Sequence, residues 1–295
     1  MSDWVEDVAT AIGAATGHPC TLANPRSIGG GCINSAYAVD AGERRFFVKI
    51  NRAQRLAMFE AELAGLAELA ATQTVRVPAP ICAGTSGDHA FLAMEFLQLD
   101  GNGRGSAERL GHQLAALHRS SSDCFGWQRD NTIGSTPQIN TPSTDWIDFW
   151  REHRLGYQLR LAARNGSGAR LIDRGNRLKE LVPGLFADYA PQPSLLHGDL
   201  WGGNWATTAG GEPVLFDPAV YFGDRETDLA MTELFGGFPP TFYAAYKSSW
   251  PLDSGYSVRK QLYNLYHVLN HLNLFGGGYQ RQAETLIERL TAELR

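Results

Sequence analysis

The chain changes character once, at Gln98-Leu99-Asp100-Gly101-Asn102-Gly103-Arg104-Gly105. Glycines this closely spaced favour neither helix nor strand and mark a linker. On its N-terminal side the pattern is strands around a single helix. Ser35-Ala36-Tyr37-Ala38-Val39, then Asp40-Ala41-Gly42-Glu43, then Arg45-Phe46-Phe47-Val48-Lys49-Ile50 reads as a β-hairpin. Gln54 to Ala71 is rich in Ala, Leu and Glu, and its apolar Met58, Leu63, Leu66 and Leu69 suit a helix. Val75–Pro80 holds two prolines and is expected to be extended. His89 to Leu97 reads as a buried strand. Beyond the linker Leu110, Leu114 and Leu117 fall on one helix face. Asp145–Ala163, Arg259–Leu274 and the stretch after Asp228 are further helix candidates. Two short apolar runs interrupt them, Leu195-Leu196 before His197 and Val214-Leu215-Phe216 before Asp217. The expected architecture is α+β, with a small β-rich lobe over 1–97 and a larger, mainly helical lobe over 98–295. Clefts between lobes favour ligands.

Composition narrows the function classes. Of 295 residues 43% are hydrophobic and 19% charged, enough apolar surface for a core and unlike a disordered chain. A net charge of −5 argues against broad nucleic-acid binding. No apolar run approaches the ~18 residues that span a bilayer. The opening MSDWVEDVATAIG carries early acids and lacks the layout of a secretion signal. A soluble, cytoplasmic chain with neither a nucleic-acid nor a membrane partner is expected. Cys20, Cys32, Cys82 and Cys124 form no C-x-x-C pair and are expected as thiols.

The strongest chemical signal is His197-Gly198-Asp199-Leu200-Trp201-Gly202-Gly203-Asn204, followed by Asp217 at the end of an apolar run. Phosphoryl transfer needs one carboxylate to orient the attacking hydroxyl and accept its proton, and oxygen ligands for Mg²⁺ on the nucleotide phosphates. A loop with an Asp and, five residues on, an Asn supplies the first and part of the second. Asp217 supplies another oxygen ligand. The competing reading is an Asx-turn loop with ordinary capping carboxylates.

Lysine usage agrees. There are four, Lys49, Lys179, Lys247 and Lys260, and only Lys49 follows an apolar strand pattern. Such a lysine either snorkels to solvent or meets a fixed anion. It can reach nucleotide phosphates, with Glu62 on the following helix to hold it. Gly29-Gly30-Gly31 before Cys32-Ile33-Asn34 can cover phosphates with backbone N–H groups. It is neither a Walker loop nor a full G-x-G-x-x-G, so a dinucleotide fold has little support. His267 and His271 read as helix packing rather than a metal pair. His112 and His118 read as surface or satisfied core histidines. Ser120-Ser121-Ser122 lacks the context of a serine hydrolase.

Together these residues resemble the fructosamine kinase (ketosamine-3-kinase) family, a branch of the protein-kinase-like fold shared with aminoglycoside and choline kinases. The resemblance is carried by Gly29 to Asn34, Phe47-Val48-Lys49, Phe59-Glu60-Ala61-Glu62, Met94-Glu95-Phe96-Leu97 and His197 through Asn204. It continues through Asp217-Pro218-Ala219, Gly223 through Met231 and Leu234-Phe235-Gly236-Gly237-Phe238. An H-G-D loop marks only the wider superfamily. Trp201 directly after H-G-D-L, with the D-P-A and R-E-x-D-L-A-M runs, singles out this family.

The resemblance implies ATP and Mg²⁺ as cofactors and assigns roles. Asp199 would be the base, and Asn204 and Asp217 would hold Mg²⁺. Lys49 would bind the α- and β-phosphates, held by Glu62 in preference to Glu60. Met94 to Leu97 would be the hinge, where backbone groups of Glu95 and Leu97 pair with adenine. Trp201 would offer an aromatic face to the substrate's sugar. Asp228 would brace the His197 loop. Cys32 would respond to oxidation, with a disulfide-linked homodimer as one outcome and an inert thiol as the other. Asp224 departs from the family pattern, where many relatives carry histidine.

The expected function is an ATP-dependent kinase that phosphorylates the third sugar carbon's hydroxyl in ketosamines, such as ribulosamine, erythrulosamine or fructosamine adducts, and so promotes deglycation. The alternatives are a kinase for another amine-bearing alcohol, as in aminoglycosides, or a nucleotide-binding regulator switched through Cys32.

Overall fold

The structure, a computed structural model, describes residues 4–29, 33–99, 103 and 105–294. Gly30, Gly31 and Cys32 lie outside the described residues, as do Asp100, Gly101, Asn102 and Arg104 of the expected linker. The chain forms two compact units, 1–106 with 205–218, and 107–204 with 219–295.

The first unit is an antiparallel sheet with helices against it. Helix α1 (Trp4–Thr16) precedes β1 (Ala23–Ile28), β2 (Ser35–Ala41) and β3 (Arg44–Arg52). A short 3₁₀ turn leads into α2 (Leu56–Ala71), followed by β4 (Pro80–Ser86) and β5 (His89–Glu95). The strands lie in the order β1-β2-β3-β5-β4. Two tight turns set the register. Ala41 pairs with Arg44 and Ser86 with His89, and Gly42 and Gly87 take the positive φ that such hairpins demand.

Helix α1 buries Trp4, Val8 and Ile12 against Val39, Phe46, Val48, Ile50 and Phe91. Strand side chains alternate, so with Phe46, Val48 and Ile50 on the α1 face, Lys49 points to the opposite one. There α2 carries Glu62.

The segment 205–218 joins this unit rather than the helical one, where a division at residue 97 would put it. Its hairpin, β9 and β10, spans Trp205–Thr207 and Pro213–Leu215, numbered after the elements between. Backbone bonds explain its allegiance. The Leu215 N–H donates to the Arg76 carbonyl at 2.9 Å, and Leu99 bridges Thr208.

The second unit begins with α3 (Ser106–Leu117) and the hairpin β6 (Asn131–Ile133) and β7 (Thr136–Gln138). It continues with α4 (Trp146–Phe149), α5 (Gly156–Arg164), α6 (Ala169–Leu181) and β8 (Ser194–Leu196). After the segment given to the first unit come β11 (Tyr221–Gly223), which pairs with β8, and helices α7 (Glu226–Leu234) and α8 (Pro240–Ser249). Helices α9 (Tyr256–Phe275) and α10 (Tyr279–Glu293) complete it. The 20-residue α9 is buried on several sides, including Leu262, Tyr263, Tyr266, His267 and Asn270. A helix apolar around most of its girth belongs in the middle of its unit.

The expected helix over Asp145–Ala163 is helical without a break from Trp146 to Arg164, with a π-type stretch between α4 and α5. Asp145 caps α4 by accepting the Asp148 N–H at 2.8 Å. Between α4 and α5, residues Trp150–Leu155 form a π-type turn in which the Gly156 N–H reaches the Arg151 carbonyl, five residues back. A side chain at 156 would overlap that carbonyl oxygen, so glycine permits the widened turn. Among the described residues no helix is long and apolar enough to cross a membrane.

Candidate active site

Two sets of side chains, one in each unit, collect the residues singled out above. In the first unit the Lys49 Nζ lies 2.5 Å from Glu62 Oε1 and 2.5 Å from Asp217 Oδ1. Lys49 is 6% exposed. Burial disfavours its charged form, but the Asp217 and Glu62 carboxylates outweigh that and hold its pKa above the usual lysine range. Burial pushes the Glu62 carboxyl up, and the Lys49 ammonium pulls against it. The lysine therefore meets fixed anions and does not snorkel. Asp217 stands just beyond β10 with a φ of 55°, a left-handed conformation that Asp tolerates better than most residues. Its side chain keeps 51% of its surface exposed, while that of Glu62 keeps 11%. One carboxylate braces the lysine from inside and the other opens to solvent.

At the end of β5, Met94 is buried in the sheet and Leu97 is half-buried. The Glu95 N–H donates to the Ala79 carbonyl at 2.9 Å. Its side chain accepts from Arg76 Nη2 at 2.5 Å and from the Ala79 N–H at 3.1 Å. A Cβ built on Gly29 meets nothing within 4 Å among the described residues.

In the second unit the His197–Asn204 loop follows β8. Asp228, at the start of α7, accepts the His197 N–H at 2.8 Å and the Gly198 N–H at 2.9 Å. Gly198 has a φ of 83°, and a Cβ there would overlap the Ala219 carbonyl oxygen, so only glycine fits. The loop closes on itself. Asn204 Nδ2 donates to the Asp199 carbonyl at 2.8 Å and to Asp199 Oδ2 at 3.2 Å. The Asn204 N–H donates to the Trp201 carbonyl at 3.0 Å. Trp201 is 40% exposed.

Behind the loop, His118 Nε2 lies 3.2 Å from Asp228 Oδ2 and His118 Nδ1 lies 2.8 Å from the Tyr246 hydroxyl. A carboxylate only accepts, so Nε2 donates to Asp228. Burial alone would push Asp228 up, but His118, His197 and the Gly198 N–H overcome it and hold its carboxyl below the usual range.

The fructosamine kinase model matches residues 4–293 of the chain. The chain belongs to the fructosamine kinase family. Relatives agree along its length. "Probable ketoamine kinase" of Synechocystis is 50% identical over 289 residues, 96% of each chain. The chloroplastic protein-ribulosamine 3-kinase of Arabidopsis thaliana is 47% identical, over 89% of this chain and 81% of that one. The crystal structure of a candidate fructosamine-3-kinase from Haemophilus somnus matches with a TM-score of 0.88 at 30% identity, covering 96% of each chain. The fold is the protein-kinase-like α+β arrangement, and the enzyme is a kinase whose acceptor is an alcohol.

Within this family fold the described site residues fall into the two sets, with Glu62 rather than Glu60 on Lys49. Asp224 is buried and accepts from the Tyr263 hydroxyl at 2.5 Å and the Tyr189 hydroxyl at 3.0 Å. It is part of the interior. His267 is buried too, and His271 donates to its own helix at the His267 carbonyl, which accords with packing rather than metal binding.

Sequence reasoning missed a buried amide cluster that supports the loop. Asn131 Nδ2 donates to the Val220 carbonyl at 2.7 Å, and Gln138 Nε2 donates to the Ala219 carbonyl at 3.1 Å. Asn140 joins Asn131 to Arg154, whose Nη2 donates to Asn140 Oδ1 at 2.8 Å. The Ala219 N–H in turn donates to the His197 carbonyl at 2.8 Å. The available signal was three amide side chains within ten residues, Asn131 to Asn140.

Proposed function

We propose that this kinase transfers the γ-phosphoryl group of ATP to the hydroxyl on the third sugar carbon of a ketosamine. The phosphorylated adduct then loses its amine, which reverses glycation. The observation that carries the reading is the Asp199 loop. A carboxylate is aimed by the Asn204 amide on a backbone that Asp228 clamps at two successive N–H groups.

In this reading Asp199 orients the acceptor hydroxyl and takes its proton, and the rest is positioning and charge neutralisation. Lys49 binds the α- and β-phosphates, with Glu62 keeping it charged and in place. Gly29, Gly30 and Gly31 cover the phosphates. Met94, Glu95 and Leu97 form the adenine hinge. Because the Glu95 N–H already bonds Ala79, Glu95 contributes its carbonyl. Asn204 and Asp217 carry hard oxygen donors of the class Mg²⁺ takes, and the exposed half of Asp217 suits a ligand role. Bound Mg²⁺ would neutralise charge on the transferring group. Trp201 faces the sugar. His197 and Asp228 support the loop, and Cys32 is the proposed redox site of a disulfide-linked homodimer. The proposed setting is the cytoplasm.

The test is ATP consumption with Mg²⁺ on ribulose-, erythrulose- and fructose-lysine, with kanamycin and choline as controls. Turnover confined to the ketosamines is expected. Activity only on a control, or on none, overturns the reading.

A further inference from the structure

The loop holds two adjacent glycines that differ in what surrounds them. A Cβ built on Gly202 meets nothing within 4 Å. A Cβ built on Gly203 would overlap Cη2 and Cζ2 of Trp201 and stand 2.7 Å from its Cζ3. Neither residue has the positive φ that would require glycine on backbone grounds. The three heavy atoms nearest a Cβ at 203 all belong to the indole ring.

The loop around that ring is pinned. The Trp201 N–H donates to the Asp199 carbonyl at 3.1 Å, and the Trp201 carbonyl accepts the Asn204 N–H at 3.0 Å. A methyl group at 203 is therefore relieved by rotating the ring. Trp201 keeps 40% of its surface exposed, so rotation costs little packing. The ring lies between Asp199 and Asn204 in sequence, and a platform there fixes how far a polyol chain stands from Asp199.

We infer that Gly203 is a specificity-determining residue: lacking a side chain, it seats the Trp201 indole flat on the loop and so sets the apolar face that receives the sugar of the acceptor. This rests on the reading of Trp201 as the sugar's platform. It identifies the recognised chemistry as the C–H face of a polyol, where aromatic contact gives affinity without hydrogen-bond selectivity.

The experiment compares Gly203→Ala, Gly202→Ala, Trp201→Ala and the double variant Trp201→Ala/Gly203→Ala. Each is assayed with ribulose-lysine, and the parent and the three single variants are also labelled with 5-fluorotryptophan for ¹⁹F NMR. Gly203→Ala should lose roughly tenfold in kcat/KM, mainly through a higher KM for the ketosamine. Its Trp201 resonance, assigned by loss in Trp201→Ala, should move. Gly202→Ala should match the parent in both readouts. In the Trp201→Ala background the added Gly203→Ala should cost nothing further, which separates loss of the ring's seat from general damage to the loop. An unmoved resonance, equal losses in both glycine variants, or a full further loss in the double variant overturns the inference while leaving the role of Trp201 standing. A Trp201→Ala enzyme with parental KM removes the platform reading itself.

Discussion

In the first unit Lys49 is fixed by two carboxylates drawn from positions 13 and 168 residues away in sequence. In the second, Asp199 sits on a loop held by backbone N–H groups, one amide and a buried carboxylate, Asp228, whose side-chain neighbour is His118. The first arrangement is a triad of formal charges, where removing the lysine strands the Glu62 carboxylate in a poorly solvated place. The second is a clamp of hydrogen bonds, where the charge at the working end is separate from the charge that holds the loop. The lesson concerns separability. Altering the nucleotide-side lysine should disturb stability and activity together, whereas altering the loop carboxylate should disturb chemistry alone.

The largest combined effect is expected at the triad. Lys49→Met should leave Glu62 buried without its cation and cost about 3 kcal/mol of stability in urea unfolding. It should also lower kcat/KM for ATP about a hundredfold. Adding Glu62→Gln should recover most of the stability and none of the activity. Recovery of both would mean that Lys49 only balances charge.

A smaller effect is expected at the clamp. Asp228→Asn keeps the shape but loses acceptor strength for the His197 and Gly198 N–H groups. We expect about 2 kcal/mol of lost stability at pH 7, with faster amide exchange at Gly198. Unchanged exchange at Gly198 would break the view of Asp228 as the loop's anchor.

The smallest effect concerns pH, away from both sets. Burial, with His271 and Arg154 nearby, pushes His267 down to about 3 from 6.5, against the pull of Asp228. A histidine kept neutral in the fold stabilises fully above its unfolded value of 6.5 and loses that contribution as pH falls from there toward 3. His267→Leu should therefore show a shallower decline in stability from pH 6.5 to 4, by up to about 1.4 kcal/mol per pH unit. Glu226, raised to about 7 by burial, acts in the opposite sense and is common to both proteins. Parallel stability curves would show that His267 titrates in the fold as it does in the unfolded chain.

How much of this could be read from the chain alone follows the range of the interactions. The β2–β3 hairpin was legible because its turn and register are local. Lys49 stood out because a lysine in an apolar strand needs a reason. The His197 loop was legible because Asp199, Trp201 and Asn204 bond to one another within six residues. Helix α1 was not, since Trp4, Val8 and Ile12 declare a buried face only once the sheet lies beneath them. The amide cluster was not, because Asn131 and Gln138 look like turn residues until the carbonyls of Ala219 and Val220, more than 80 positions on, come to meet them. The π-type turn was hidden for a similar reason. Trp150 to Leu155 carries an ordinary helical pattern, and only Gly156 betrays the wider bond.

The most direct test of the separation between the two sets is Asp199→Asn, measured for ATP affinity by calorimetry and for turnover on ribulose-lysine. ATP affinity should stay close to the parent's, with turnover lower by about a thousandfold or more. Near-parental turnover, or a loss of ATP binding as large as the loss of turnover, would contradict that separation.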